Sequence, residues 1–461
     1  MRANKRDQRS AVLLDSLRKR LRRGATVHLL NLLQRIHPGD VPPIFNVLTD
    51  TEQHEVLKLL LDKDITRAAD VATALHPTAA AQILARFEVP DISRLLQLCS
   101  SDDAAEIVAT MPEDLRENVL SQMRQEEGED VQDLLSYPEE TAGRIMSPNF
   151  FALPEGTSAG DAMKALRGKS DVEMVFYLYV TDERNHLLGV VSMRQLILVE
   201  PDTPIKNIMM ANIVSVKTDT DQEEVAKLVS KYDFLAVPVV DDQNKLMGII
   251  TVDDVIDVIR EEATEDFYKL AGTSDQERLQ RSTLIAARHR LPWLTVSLVE
   301  GVLAVSIFAS FQEWIQPMYF LVGFLPMLVG MGGNIGTQSA TIVVRGLATG
   351  RFALKEIGAV LLREVQIAGI LGAVYGVVLS VASYFFLGDI PFRAAPVIGA
   401  SIFLIMILAA AVGSFLPMVC ARISVDPTIA TGPFLTSLMD ILGMVVYFEM
   451  VKHFLPAISA G

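Results

Sequence analysis

Three different spacings of apolar residues divide the chain. Over residues 25–135, apolar positions recur at helical intervals in short blocks, each headed by Pro, Asp or Ser. Units such as "HPTAAAQILARF" and "SSDDAAEIVATM" return about two dozen residues apart. This spacing predicts a stacked helical array that presents a surface rather than performing chemistry. Residues 136–262 alternate short β-rich runs with helical ones, twice. "RIMSPNFFALPEGTSAGDAMKAL" aligns with "NIMMANIVSVKTDTDQEEVAKLV" at an offset of 63, and "VTDERNHLLGVVSMRQLI" with "VVDDQNKLMGIITVDDVI" at 59, neither with a gap. Each copy predicts strand, helix, strand, polar turn, strand, helix. Beyond residue 283 the chain is almost continuously apolar. Five stretches, about 291–311, 317–344, 357–387, 394–420 and 428–455, are each long enough to span a ~30 Å hydrocarbon layer.

The second of these stretches contains "GFLPMLVGMGGNIGTQSATIVVRG", residues 323–346. Polar groups at that depth must face protein, water or an ion. Gly332 and Gly336 form a GxxxG step that permits close helix approach, beside Gly333. Asn334, Thr337 and Gln338 then turn oxygens toward a polar path or a neighbouring helix. The glycine spacing does not fit a dinucleotide loop, and no βαβ unit surrounds it. Ionisable residues within spans are Glu300, Arg363, Glu364, Asp440 and Glu449. Asp440 lies in "DPTIATGPFLTSLMDILG", where Thr431, Thr436 and Ser437 supply oxygen and Pro427, Gly432 and Pro433 loosen the helix. An anionic, oxygen-rich, broken-helix site suits a hard cation. The competing assignment is a structural ion pair with Arg345 or Arg363.

Charge sharpens the division. Of 56 acidic and 41 basic residues, 48 and 32 precede residue 284, and residues 25–282 alone sum to −23. Such a polyanion repels nucleic acid, excluding it as a partner, and attracts cations. Residues 1–24 hold nine Lys or Arg against Asp7 and Asp15, with Val12, Leu13, Leu17 and Leu21 among them. That pattern fits an amphipathic helix on anionic lipid or a loose basic arm. No apolar signal segment precedes the acidic half, which is expected to stay cytosolic. Arg288, Arg290, Arg345, Arg351, Lys355 and Arg422 flank the spans on one side, whereas the opposite connectors "QEWIQP" and "LGDIPFR" carry only Arg393. The positive-inside rule then predicts a multi-pass protein of the cell (inner) membrane, with its amino-terminal half cytosolic and its carboxyl terminus outside. Cys99 and Cys420 fall in different halves, so neither a disulfide framework nor a zinc site is expected. HExxH and triad orders are absent. "RGKS" at 167–170 has Met163 where a phosphate loop needs its leading glycine. The expectation is a protein that is not an enzyme.

The duplicated unit resembles the paired CBS module, which often binds an adenine nucleotide between its copies. In that family a Ser or Thr and an Asp three residues later hold ribose and phosphate. The second copy has Thr251 and Asp254, the first Ser192 and Gln195. The resemblance also makes Tyr177 and Phe234 candidates to sandwich a base, with core packing as the competing assignment, and adds Arg194 toward the nucleotide.

Taken in order, the parts resemble the MgtE family of magnesium channels over nearly the whole chain after the basic start. The resemblance is carried by "EEATEDFYKLAG", "FLPMLVGMGGNIGTQSATIVVRGLATG" and "DPTIATGPFLTSLMDILGMVVYF", in that order behind the duplicated unit. It implies a multidomain membrane protein. A basic extension (1–24) precedes an α-helical superhelix N domain (25–135) and an α/β CBS pair (136–200 and 201–262). A connecting helix (263–283) then leads to an all-α five-helix transmembrane domain (284–461). It further implies a homodimer in the lipid bilayer, with Asp440 of each copy holding a hydrated Mg²⁺ in a pore. Regulatory Mg²⁺ would sit at Asp102 and Glu106, at Asp221, Glu223, Asp233, Asp254 and Asp257, and at Glu262, Glu265 and Asp266. ATP would bind at the CBS pair. Two alternatives stay open: a membrane-anchored magnesium and nucleotide sensor without transport, and a transporter preferring Co²⁺ or Mn²⁺. Lack of His or Cys near Asp440 disfavours a softer metal.

Overall fold

A computed structural model describes residues 2–168, 176–273, 283–349, 351–352, 356–386, 394–423 and 425–455. It falls into two compact units, Met1–Arg260 and Glu261–Gly461. Lys169 and Ser170 of the "RGKS" run, residues 274–282 of the expected connecting helix, Lys355 and the connector 387–393 lie outside the described residues.

Among the described residues the first unit opens with ten α-helices and one 3-10 turn, from α1 (Arg2–Arg22) to a last helix at Gln125–Ser136. Successive helices pack onto the one two places along, for example Val89–Leu96 on Glu113–Gln122. This gives the expected superhelical stack. Ala68, Ala72, Leu84, Ile92, Leu95 and Val108 fill its interior. The basic start departs from expectation. It is helical, and Leu17 is fully buried while Leu13, Leu14 and Leu21 pack on the same core. The apolar stripe of α1 is therefore spent on protein and is not available to lipid. Arg18 holds it down by bonding Glu52 at 3.2 Å and the Val47 carbonyl at 2.7 Å.

Two three-stranded sheets follow, built alike. Strands β1 (Ala152–Pro154), β2 (Tyr177–Thr181) and β3 (Leu187–Ser192) form one. Strands β4 (Val216–Lys217), β5 (Ala236–Val240) and β6 (Leu246–Thr251) form the other. In each, the first pair is parallel and the second antiparallel. The helices α2 (Met193–Leu198) and α3 (Val252–Leu270) leave the two sheets at equivalent points. Asn185 and Asn244, 59 residues apart, both take positive φ at the hairpin turns, and each carbonyl accepts from the other copy's third strand. Bridges Ser147↔Ile249 and Val190↔Met210 tie each copy's lead segment to the opposite sheet. On β2 the residues alternate. Leu178 and Val180 enter one core, whereas Tyr177 and Tyr179 face the space between the sheets.

The second unit holds five helices long and apolar enough to cross a membrane. They are α4 (Thr283–Ser310), α5 (Leu325–Ala348), α6 (Ile357–Phe386), α7 (Ala394–Arg422) and α8 (Gly432–Phe454). α5, α7 and α8 pack mutually, α6 lies along α7, and α4 rests on α8. No residue of α4 is buried. Glycines set the α5–α7 distance: a Cβ on Gly332 would fall 2.7 Å from Ile405, and one on Gly413 would strike the Gly336 carbonyl.

Candidate functional site

Asp440 sits two turns into α8, roughly 12 Å from its start at 1.5 Å per residue. The facing helix is α5, where a Cβ on Gly333 would lie 3.8 Å from Asp440 Oδ1 and 3.6 Å from Thr436. Any larger side chain at 333 would fill the space beside the carboxylate. Glu300 on α4 is near enough for its charge to act on Asp440. Among the described residues neither Arg345 nor Arg363 pairs with Asp440. Asn334, Gln338 and Thr436 are exposed on the protomer, Thr337 partly so. Thr431 is buried and bonds the Thr428 carbonyl, while Gly432 starts α8 at φ +56. A strip of amide, hydroxyl and carboxylate oxygen thus runs beside Asp440 at membrane depth.

The acids outside the five long helices sort into separate places. In the first turn of the helix Ser101–Ala109, Asp102 is buried, and Asp103 lies near enough to the start of α3 for the charges of Asp253 and Asp257 to act on it. Burial raises the Asp103 carboxyl, and Asp253 and Asp257 add to it against a 2.7 Å bond from Ser100. Burial likewise pushes Asp254 up to about 7, with Asp253 and Asp103 adding and hydrogen bonds from Thr251 opposing. Asp257 also pairs with Arg260 at 3.1 Å. Other candidates stand apart. Asp221 caps the helix Gln222–Tyr232, Glu223 pairs with Lys227 at 2.9 Å, and Asp233 ends that helix at φ +55. Glu106 is exposed and acts on Arg144. Glu262, Glu265 and Asp266 lie on the part of α3 in the second unit, where Glu265 bonds Lys269 at 2.8 Å. Among the described residues, no three His, Cys, Asp or Glu converge closely enough to hold a metal ion. A hydrated Mg²⁺, which keeps several waters and uses one or two carboxylates, does not require such a trio.

Between the two sheets lies a cleft lined by Tyr177, Tyr179, Val190, Met210, Asn212, Ile213, Val214, Phe234, Ala236 and Pro238. Of the nucleotide candidates, Tyr177 and Phe234 are in this lining. Thr251 pairs with Ala236 across the β5–β6 ladder, so the bonded Thr251–Asp254 pair stands at the cleft's edge. Arg194 is exposed on α2, one residue from the Ser192–Gln195 capping box.

Comparison with known proteins places these parts. Residues 325–450 match the MgtE family, described as a divalent cation transporter, and residues 36–140 match the MgtE intracellular N domain. CBS domains match at 142–202 and 205–261. The magnesium transporter MgtE of Bacillus subtilis is 34% identical over 94% of this chain and 96% of its own length. That of Thermus thermophilus is 34% identical over 96% and 98%. The chain belongs to the MgtE family. A solved structure of the cytosolic domain of the Mg²⁺ channel MgtE in complex with ATP is also similar. It covers 53% of this chain and 99% of its own, at 36% identity and a TM-score of 0.51.

Three features of this MgtE-family chain escape a reading of its sequence. Asp103 and Asp253 join the acids at α3, although only their neighbours Asp102 and Asp254 match family positions. Tyr179 reads as a core aromatic but lines the cleft. Lys269 bonds Asp426 at 2.8 Å across 157 residues, linking the end of α3 to the turn before α8. Burial resists both charges, yet hydrogen bonding to Asp426 and Glu265 raises Lys269, and bonds from Lys269 and Thr428 lower Asp426. Both members lie in quoted family motifs, but nothing in either motif signals that they meet.

Proposed function

We propose that this chain is a Mg²⁺ channel that admits the ion to the cytosol down its gradient. Its cytosolic half closes it when Mg²⁺ is plentiful, and ATP at the CBS pair modulates that response. The observation that carries the reading is Asp440, set against Gly333 with Thr436 and Glu300 near it, on a polar strip left exposed by the protomer. Asn334 and Gln338 cannot face hydrocarbon without loss of hydrogen bonding, whereas the Thr436 hydroxyl already donates to the Gly432 carbonyl at 3.0 Å. A second copy facing the same strip would enclose it, so the working unit is a homodimer with Asp440 of each copy on one path. Mg²⁺ sheds water reluctantly, and paired carboxylates can hold it through its first hydration shell. Asn334, Thr337, Gln338, Thr431 and Thr436 would then accept from that shell, and Gly332, Gly333, Gly336, Gly432 and Pro433 would leave it room.

Closure follows from charge. Asp102, Asp103, Asp253, Asp254 and Asp257 repel one another when no cation is present, and a divalent ion draws them together. Glu106, Asp221, Glu223, Asp233, Glu262, Glu265 and Asp266 are assigned to further regulatory Mg²⁺, apart from that group. Tyr177, Arg194, Phe234, Thr251 and Asp254 are assigned to the nucleotide. The amino-terminal half is cytosolic, the carboxyl terminus is outside, and the chain has no enzymatic role.

The test is Mg²⁺ uptake into liposomes containing the purified protein, with internal Mg²⁺ low, comparing native chain with Asp440→Ala. Native loading with at least tenfold slower loading by a folded Asp440→Ala supports the pore. Equal loading removes Asp440 from the path. No loading by either favours an anchored sensor, and faster loading of Co²⁺ or Mn²⁺ changes the cargo.

A further inference from the structure

The cleft between the CBS copies is apolar except for the hydroxyls of Tyr177 and Tyr179 and the amide of Asn212. Tyr179 is 2% exposed, and its hydroxyl forms no hydrogen bond among the described residues. A buried hydroxyl without a partner is rare and destabilising, because water is lost and nothing replaces it. Burial, with Tyr177 beside it, raises its ionisation range, so it stays a neutral group able both to donate and to accept. The duplication shows that the hydroxyl is not imposed by the fold. Tyr179 pairs with Val190 in β3 as Pro238 pairs with Ile249 in β6, so the equivalent site in the other wall has no side-chain polar atom. One wall therefore offers hydrogen bonding and the other only an apolar face.

We propose that the Tyr179 hydroxyl binds the polar edge of a nucleobase in this cleft, an inference that rests on the nucleotide reading above. Apolar walls suit the flat faces of a base and exclude a triphosphate, whose charge needs water or cations. The base enters between the sheets, and the phosphates stay outside. A bound base satisfies the buried hydroxyl, so part of the binding free energy comes from removing an unfavourable feature of the empty protein.

The test uses the full chain in detergent, native and Tyr179→Phe, titrated with AMP, ADP, ATP and inorganic triphosphate. The substitution removes one oxygen that has no partner, so the variant is expected to melt at or above the native temperature. The expected result is a five- to tenfold loss of affinity, the same for all three nucleotides, with triphosphate unaffected. Tenfold corresponds to about 1.4 kcal/mol. A general disturbance of the fold would not spare triphosphate or act equally on the three nucleotides. If native protein binds nucleotide and Tyr179→Phe binds as well or better, the assignment is overturned. A loss that grows with the number of phosphates overturns it too, since the hydroxyl would then be reading phosphate. If the native chain binds none of the three nucleotides, the nucleotide reading itself falls, an outcome distinct from the other two.

Discussion

Replacing Asp254 by Asn tests what it costs to hold a carboxylate buried beside other acids at the start of α3. Burial pushes the Asp254 carboxyl up to about 7 from an ordinary 3.8, with Asp253 and Asp103 adding to the shift. At roughly 1.4 kcal/mol per tenfold change in proton affinity, the ionised form costs about 4 kcal/mol of folding stability. The sign follows from where the proton is held. Below about pH 4 the carboxyl is protonated in both folded and unfolded chains, and there is no cost. Between about 4 and 7 the unfolded chain has lost the proton and the folded one retains it, so stability falls as pH rises. Above about 7 the full cost is present. Asparagine keeps an oxygen to accept from the Thr251 hydroxyl and N–H, so the cap at the start of α3 survives.

Asp254→Asn is therefore expected to stabilise the metal-free first unit at pH 8 and to make little difference near pH 4. That unit spans Met1–Arg260. With about 2 cal/mol/K of unfolding entropy per residue, about 4 kcal/mol raises its melting temperature by roughly 8 °C. The assay is thermal unfolding of the full chain in detergent with chelator at the two pH values. Adding Mg²⁺ to native protein at pH 8 should narrow the gap, because a cation that binds only the folded acids stabilises by mass action. A variant that melts at or below native at pH 8, or a gap of equal size at both pH values, would refute the reasoning.

Two further substitutions probe single contacts. Gly432→Ala places a Cβ against the Leu270 carbonyl at a residue with φ +56. The left-handed backbone alone costs about 1–2 kcal/mol, so the second unit should melt several degrees lower, and unchanged melting would discard the α3–α8 contact. Thr49→Ala removes half of a capping box, the Thr49 hydroxyl oxygen that accepts from the Glu52 N–H at 3.3 Å, and should cost about 1 kcal/mol in thermal unfolding. Burial opposes ionisation of Glu52, but bonds from Thr49 and the Arg18 charge outweigh it and hold the carboxyl below its usual range. The stability it supplies is thus present at pH 7 and lost as pH falls through that lowered value. A Glu52→Gln deficit in thermal melting should accordingly shrink as pH falls through that lowered value, and one that does not change with pH would assign the cost to packing.

The elements were legible because each has a period that survives in one dimension. The 63- and 59-residue offsets locate both CBS copies, and matched Asn185 and Asn244 take the same backbone at the same turn. What a stripe of apolar residues rests on is not encoded in its period. Leu13, Leu17 and Leu21 present the same pattern to lipid as to protein, and only tertiary packing decided for protein. The same limit hid Tyr179, since a strand residue that lines a cleft has the alternation of one that fills a core. Ion pairs are less legible still, because Lys269 and Asp426 meet only after five helices have been arranged.

Asp440 lies between these cases. Its sequence neighbours announce that polar groups occur within a span, which hydrocarbon does not tolerate. The packing of α5 on α8 adds that Gly333 leaves space at the carboxylate and that Asn334, Gln338 and Thr436 remain on the protomer's surface. A single chain folded for water would simply solvate that strip, and one folded for lipid would have to bury it. It does neither, so the polar strip is complete only when something polar covers it. On the proposed function, a second copy presenting the same residues would satisfy that demand without any further component and would bring two carboxylates to one path. Hydrocarbon's intolerance of uncovered oxygen thus links the choice of residues in one helix to assembly and to passage of a cation.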